Sequence, residues 1–100
     1  MSKAEERKQI PVYSGLLKYF PDALMEVAKV SLAGNQQHNP GKPLFWDRTK
    51  SMDQEDADLR HLIDKAKGIK FDTDGLRHSA KHAWRALAAL QLEIEGEIDE

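Results

Sequence analysis

Acids, bases and imidazoles recur in this sequence at spacings that helices turn into shared faces. Asp22 and Glu26 stand four apart, so on a helix they lie one above the other. Two like charges there repel, and Lys18, Lys29 or a bound cation would offset them. Asp56, Arg60 and Asp64 repeat at i, i+4 and i+8 as an Asp–Arg–Asp ladder. His61 follows Arg60 and points about 100° away, toward the apolar edge of the same helix. Further on come Asp72, Asp74, Arg77, His78, Lys81, His82 and Arg85. His78, His82 and Arg85 share one side of a helix, and Arg77 and Lys81 share the adjacent side. Cations on one helix facing acids on two others fit a tertiary salt-bridge network. They equally fit a site for a polyphosphate with its divalent metal, because carboxylates take hard cations while Arg and Lys take phosphates. His78 and His82 have helical spacing but lack the glutamate of an H-E-x-x-H zinc motif, and no phosphate-cradling Gly-rich loop occurs.

Three helices must position these groups. Pro21 and Asp22 open the first, over about residues 21–33, with Leu24, Val27 and Ala28 at apolar spacing and Gly34 and Asn35 as stop signals. Residues 35–50 are broken by Pro40, Gly41 and Pro43, yet carry Phe45 and Trp46, a length and content that suit a functional loop. Ser51, with Gln54 three residues later, resembles a capping box and starts a second helix. Leu59, Leu62, Ile63 and Ala66 form its apolar face, and Gly68 stops it. The third helix spans about residues 74–95 with Asp74 as N-cap and a stripe of Leu76, Ala80, Ala83, Trp84, Leu87, Leu90 and Ile94. That stripe is broader than two short helices can cover, so a second chain is expected against it.

The composition narrows the classes. With 100 residues the sequence predicts a single all-α unit, a bundle of three to four helices over residues 11–95, with a flexible N-terminal arm (1–10) and an acidic tail (96–100). The absence of cysteine excludes disulfides, thiol catalysis and cysteine zinc sites, and fits a reducing cytoplasm. A net charge of −2 argues against a general nucleic-acid binder. No apolar run reaches the roughly 20 residues of a membrane span, and residues 1–9 lack the apolar stretch of a signal peptide.

The runs FPDALMEVAKVSLAGNQQHNPGKPLFW, DADLRHLID and DTDGLRHSAKHAWRALAAL resemble the phage dATP/dGTP diphosphohydrolase domain family, related to the MazG-like all-α nucleoside triphosphate pyrophosphohydrolases. The similarity covers about Leu16 to Leu92. It implies metal-dependent cleavage of dGTP or dATP to the monophosphate and pyrophosphate in phage nucleotide metabolism, in the cytoplasm of an infected host. It implies Mg²⁺ or Mn²⁺ held by Asp22, Glu26, Asp56 and Asp74. Catalytic roles fall on Glu26, Asp56, His61 and His78. Arg60, Arg77 and Lys81 would contact phosphates, and Asn35, His38 and Trp46 would close on the base. A homodimer or homotetramer with helical cores completed across the interface is expected, with neither nucleic acid nor membrane as partner. One position departs from the pattern. The wider superfamily carries an E-x-x-E pair on its first metal helix, and here Lys29 follows Glu26. A non-catalytic nucleotide- or partner-binding module of the same fold is the alternative.

Overall fold

The computed structural model describes residues 1–49 and 53–98 and is helical throughout, with no strand among the described residues. Its order is α1 (Lys3–Lys8), a single π-helical turn (Tyr13–Leu17), α2 (Pro21–His38), α3 (Gln54–Ala66) and α4 (His78–Ile98). No described helix is long and apolar enough to cross a membrane. The segment read as an N-terminal arm holds the exposed α1, whose N-cap Ser2 accepts a hydrogen bond from the Glu5 backbone N–H. Helix α4 packs against both α3 and α2, and so is the spine on which the other two are arranged.

Two helix boundaries differ from the sequence reading, each for a local reason. Helix α2 does not stop at Gly34 and Asn35 but continues to His38. The Asn35 side chain does not cap the helix. It binds the following loop instead, donating from Nδ2 to the Lys42 carbonyl (3.1 Å) while Oδ1 accepts from the Phe45 N–H (3.1 Å). Helix α4 starts at His78 rather than Asp74. Gly75 has φ +83°, a left-handed conformation that no helix accommodates. Residues 72–75 therefore form a tight turn in which the Gly75 N–H reaches the Asp72 carbonyl and Asp72 N–H reaches the Leu76 carbonyl. Asp74 accepts from the Leu76 N–H inside that turn, so it caps the turn and not the helix. Gly68, at φ +84°, ends α3 as its position predicts. At the other end of α3, Ser51 of the expected capping box lies outside the described residues, and Asp53 occupies the N-cap position.

The α3–α4 seam is antiparallel and mostly polar. Gln54 of α3 accepts from Arg85 of α4 (2.8 Å), Asp58 meets His82, and His61 meets His78. Ala57 on α3 and Ala80 and Ala88 on α4 are buried, the last two one turn either side of Trp84 on the face of α4 that meets α2. No buried side-chain nitrogen or oxygen among the described residues lacks a hydrogen-bond partner. Leu59, Leu62 and Ile63, the expected apolar face of α3, stand on its outer side, with Leu59 56% and Ile63 54% exposed. Leu87, Leu90 and Ile94 of α4 are exposed as well.

Candidate active-site cleft

A cleft of about 440 Å³ opens between the C-terminal half of α2, the loop after it, the 72–75 turn and α4. That volume lies in the range of small-molecule sites, about 300–1,000 Å³. One wall is aromatic, with Phe45, Trp46 and Trp84. Trp84 donates from its indole N–H to Ser31 Oγ (2.7 Å), which locks α4 to α2, and it meets Trp46 edge-on with ring centroids 5.6 Å apart. Arg48 lies 4.2 Å from the Trp46 ring centroid and makes a two-pronged ion pair with Glu95 of α4, both contacts 2.8 Å. Asn35 and Asn39 hold the loop from below through its backbone at Lys42 and Phe45.

Charged side chains line the same cleft, with Arg85 5.4 Å from the Trp84 ring centroid. Lys81 bridges Asp72 (2.7 Å) and Asp74 (2.8 Å). This ammonium holds the Asp72 carboxyl down at about 2 and lowers Asp74 below the ordinary carboxylate range. Burial works against the charge on Lys81, but its two carboxylates more than offset that and raise its pKa. His61 stands beside them at the floor. Burial, the Lys81 charge and His78 together push its pKa below the ordinary histidine value, so the imidazole is neutral at pH 7. Its Nδ1 is 2.9 Å from Nδ1 of His78, which is only 3% exposed. Arg85, pushed down by burial, completes the cationic side.

Of the residues singled out in the sequence, Asn35, His38, Trp46, His61, Asp74 and Lys81 line this cleft, and His78 lies directly behind His61. The other five stand apart from its lining. Asp22 is exposed near the N-terminus of α2. Glu26 is paired with Lys29 (2.7 Å), whose hydrogen bond lowers the Glu26 pKa. Asp56 is exposed on α3. Arg60 reaches back to Asp53 (3.3 Å), and Arg77 lies 4.9 Å from the Phe71 ring centroid. The four carboxylates implied to hold a metal therefore do not converge within one chain. Among the described residues, the group of three possible ligands that does converge is His61, Asp72 and His78, with ligand atoms within 4.8 Å of one another.

Several contributors escaped the sequence reading. Trp84 looked like one more member of an apolar stripe, yet its indole N–H and its place on the cleft wall give it a polar task. Asp58, which meets His82, shares a helical face with Gln54 and His61, and this polar i, i+4, i+7 row was the available signal for the seam. Asp47 also lines the cleft.

Comparison with curated proteins and with solved structures yields no match. A family model described as dATP/dGTP diphosphohydrolase, N-terminal, matches residues 2–100, nearly the entire chain, and the chain belongs to that family.

Proposed function

We propose that the cleft binds a purine deoxynucleoside triphosphate, dATP or dGTP, and that the protein hydrolyses it to the monophosphate and pyrophosphate. The observation that carries this reading is one cleft lined by aromatic rings for a base and by charged side chains for phosphates. Trp46 and Phe45, with His38 and the Asn35-anchored loop, take the base end; stacking on such rings is tolerant of base identity. Lys81 and Arg85 take the phosphate end, where cations stabilise the charge that builds on phosphate oxygens in the transition state. The substrate is the Mg²⁺ or Mn²⁺ complex of the triphosphate. Mg²⁺ is commonly bound through one or two carboxylates plus substrate phosphates, and Asp74, paired with Lys81 at that end of the cleft, is the carboxylate for it. Water attacks the α-phosphorus and the bond to the α–β bridging oxygen breaks, so that pyrophosphate leaves. His61, kept neutral, offers an imidazole nitrogen to orient that water.

The protein works as a homodimer or homotetramer in this reading, in the cytoplasm of a phage-infected cell. The exposed Leu59, Leu62 and Ile63 of α3 and Leu87, Leu90 and Ile94 of α4 support assembly, because among the described residues the buried apolar side chains are alanines. In a second copy, Glu26, Asp22 and Asp56 would gain neighbours that one chain does not supply. The Lys29–Glu26 pair favours the alternative of a nucleotide-binding module without catalysis, since the ammonium occupies the place of an expected second acid. A panel of dNTPs and NTPs with Mg²⁺ or Mn²⁺, read for pyrophosphate and monophosphate, decides. Release of both from dATP or dGTP is the expected result. Calorimetric binding of these nucleotides with no product would establish the alternative, and neither binding nor product would overturn both.

A further inference from the structure

The floor of the cleft holds a donor set unlike the one expected from the sequence. His61 on α3 and His78 at the start of α4 bring their Nδ1 atoms within 2.9 Å, and Asp72 in the turn before α4 completes a group whose ligand atoms lie within 4.8 Å of one another. We propose that His61, His78 and Asp72 form a binding site for one borderline divalent transition ion (Fe²⁺, Co²⁺ or Zn²⁺), distinct from the Mg²⁺ or Mn²⁺ that accompanies a triphosphate.

Four features of this group support the proposal. First, the donors are two imidazoles and one carboxylate, and imidazole suits transition ions where Mg²⁺ prefers an all-oxygen shell. Second, the two nitrogens, 2.9 Å apart in an imidazole–imidazole hydrogen bond, already stand close to the spacing of two ligands on one ion: with metal–nitrogen bonds of about 2.1 Å that spacing is about 3.0 Å at a right angle and about 3.4 Å at a tetrahedral one, so loss of the shared proton and a small parting of the rings admit the ion. Third, the far side of His78 is prepared. Its Nε2 lies 3.8 Å from Asp64 Oδ2, where a small rotation makes the carboxylate–imidazole hydrogen bond that fixes a ligating ring with its other nitrogen facing the ion. Fourth, His78 is buried and His61 and Asp72 line the cleft, so an ion there has a closed protein side and a side open to water or to phosphate oxygens.

Asp72 is shared with Lys81, whose ammonium contacts Asp72 Oδ2 and also Asp74. Ion entry therefore releases Lys81 from Asp72 toward Asp74 and the cleft, while Asp74 retains it. Lys81 is then a built-in competitor for the site, and its removal tightens the ion.

The proposal rests on the geometry of the floor and not on nucleotide hydrolysis, so its test omits nucleotide. The full chain is titrated with Co²⁺, followed by visible absorption, and with Zn²⁺ and Mg²⁺ by calorimetry. One Co²⁺ or Zn²⁺ per chain is expected, far tighter than Mg²⁺. His61→Ala is expected to abolish binding with helix content by circular dichroism unchanged. Asp64→Asn is expected to weaken binding about 10- to 100-fold, the usual cost of losing a partner behind a ligating histidine. Lys81→Met is expected to strengthen it. Failure to bind Co²⁺ and Zn²⁺, binding that survives in His61→Ala, or Mg²⁺ bound as tightly overturns the proposal. Activity on dNTPs in a chain that binds no transition ion would leave the hydrolase reading standing and remove this one.

Discussion

Helix α4 presents two opposite surfaces. Toward α3 it sets His78, His82 and Arg85 against His61, Asp58 and Gln54, so polar and ionisable groups occupy the position where a small helical protein normally places leucines. Away from that seam, Leu87, Leu90 and Ile94 stand in solvent, as do Leu59 and Ile63 of α3. The usual distribution is inverted, since charged and polar residues are buried mainly when paired and large apolar patches are exposed mainly where something docks. The difference separates two tasks. Paired polar groups hold one geometry, and the uncovered apolar flank is the surface on which the proposed assembly rests.

The largest expected effect breaks the polar side. Lys81→Met removes the cation between Asp72 and Asp74, and dNTP hydrolysis should fall by about 100-fold, the usual cost of losing a charge-stabilising group. Pyrophosphate release alongside circular dichroism checks that the loss is not unfolding. The apolar side is broken next. Leu90→Asp should weaken self-association by about 10- to 100-fold, as expected for an anchor residue, and shift sedimentation toward the 11.4 kDa protomer. A protein that already sediments at that mass would remove the assembly side of the comparison. A smaller effect sharpens the seam. Gln54→Ala leaves the half-buried Arg85 guanidinium without its 2.8 Å acceptor, at a cost of about 1–3 kcal/mol in thermal or denaturant unfolding.

The smallest expected effect appears on acidification. Asp72 and Glu95 both titrate at about 2, well below their ordinary values of 3.8 and 4.5, because Lys81 and Arg48 respectively favour the charged forms. A carboxyl depressed in the folded state adds stability that is whole above its ordinary pKa and is lost as pH falls toward the depressed one. Stability should therefore decline between about pH 4.5 and pH 2, and Lys81→Met should flatten the Asp72 part of that decline.

Much of the architecture was legible because it depends on short-range rules. Pro21 with Asp22 marked the start of α2, and Gly68 marked the end of α3. The errors arose where a side chain had a more distant partner or a glycine a special backbone. Asn35 reads as a helix stop because asparagine favours helix ends, yet the loop backbone seven to ten residues on claims its amide. Asp74 reads as an N-cap until Gly75 turns left-handed and places it in a turn. The cleft was half legible. Asn35, His38, Trp46, His61, Asp74 and Lys81 line it. Asp22, Glu26 and Asp56 share helical faces with plausible partners, but a face says nothing about which neighbour it meets.

The sequence by itself determined three amphipathic helices, the acids and bases on their faces, and specific phrases that resemble the dATP/dGTP diphosphohydrolase family to which the chain belongs. The helices and their charged faces follow from spacing and local backbone preference, which act within a few residues. Only the tertiary structure decided that α3 turns its polar row, and not its leucines, toward α4. Only it brought His61 against His78 across 17 residues and Trp84 to Ser31 across 53. Such pairings depend on how whole helices rotate and cross, and that is fixed by the sum of many contacts.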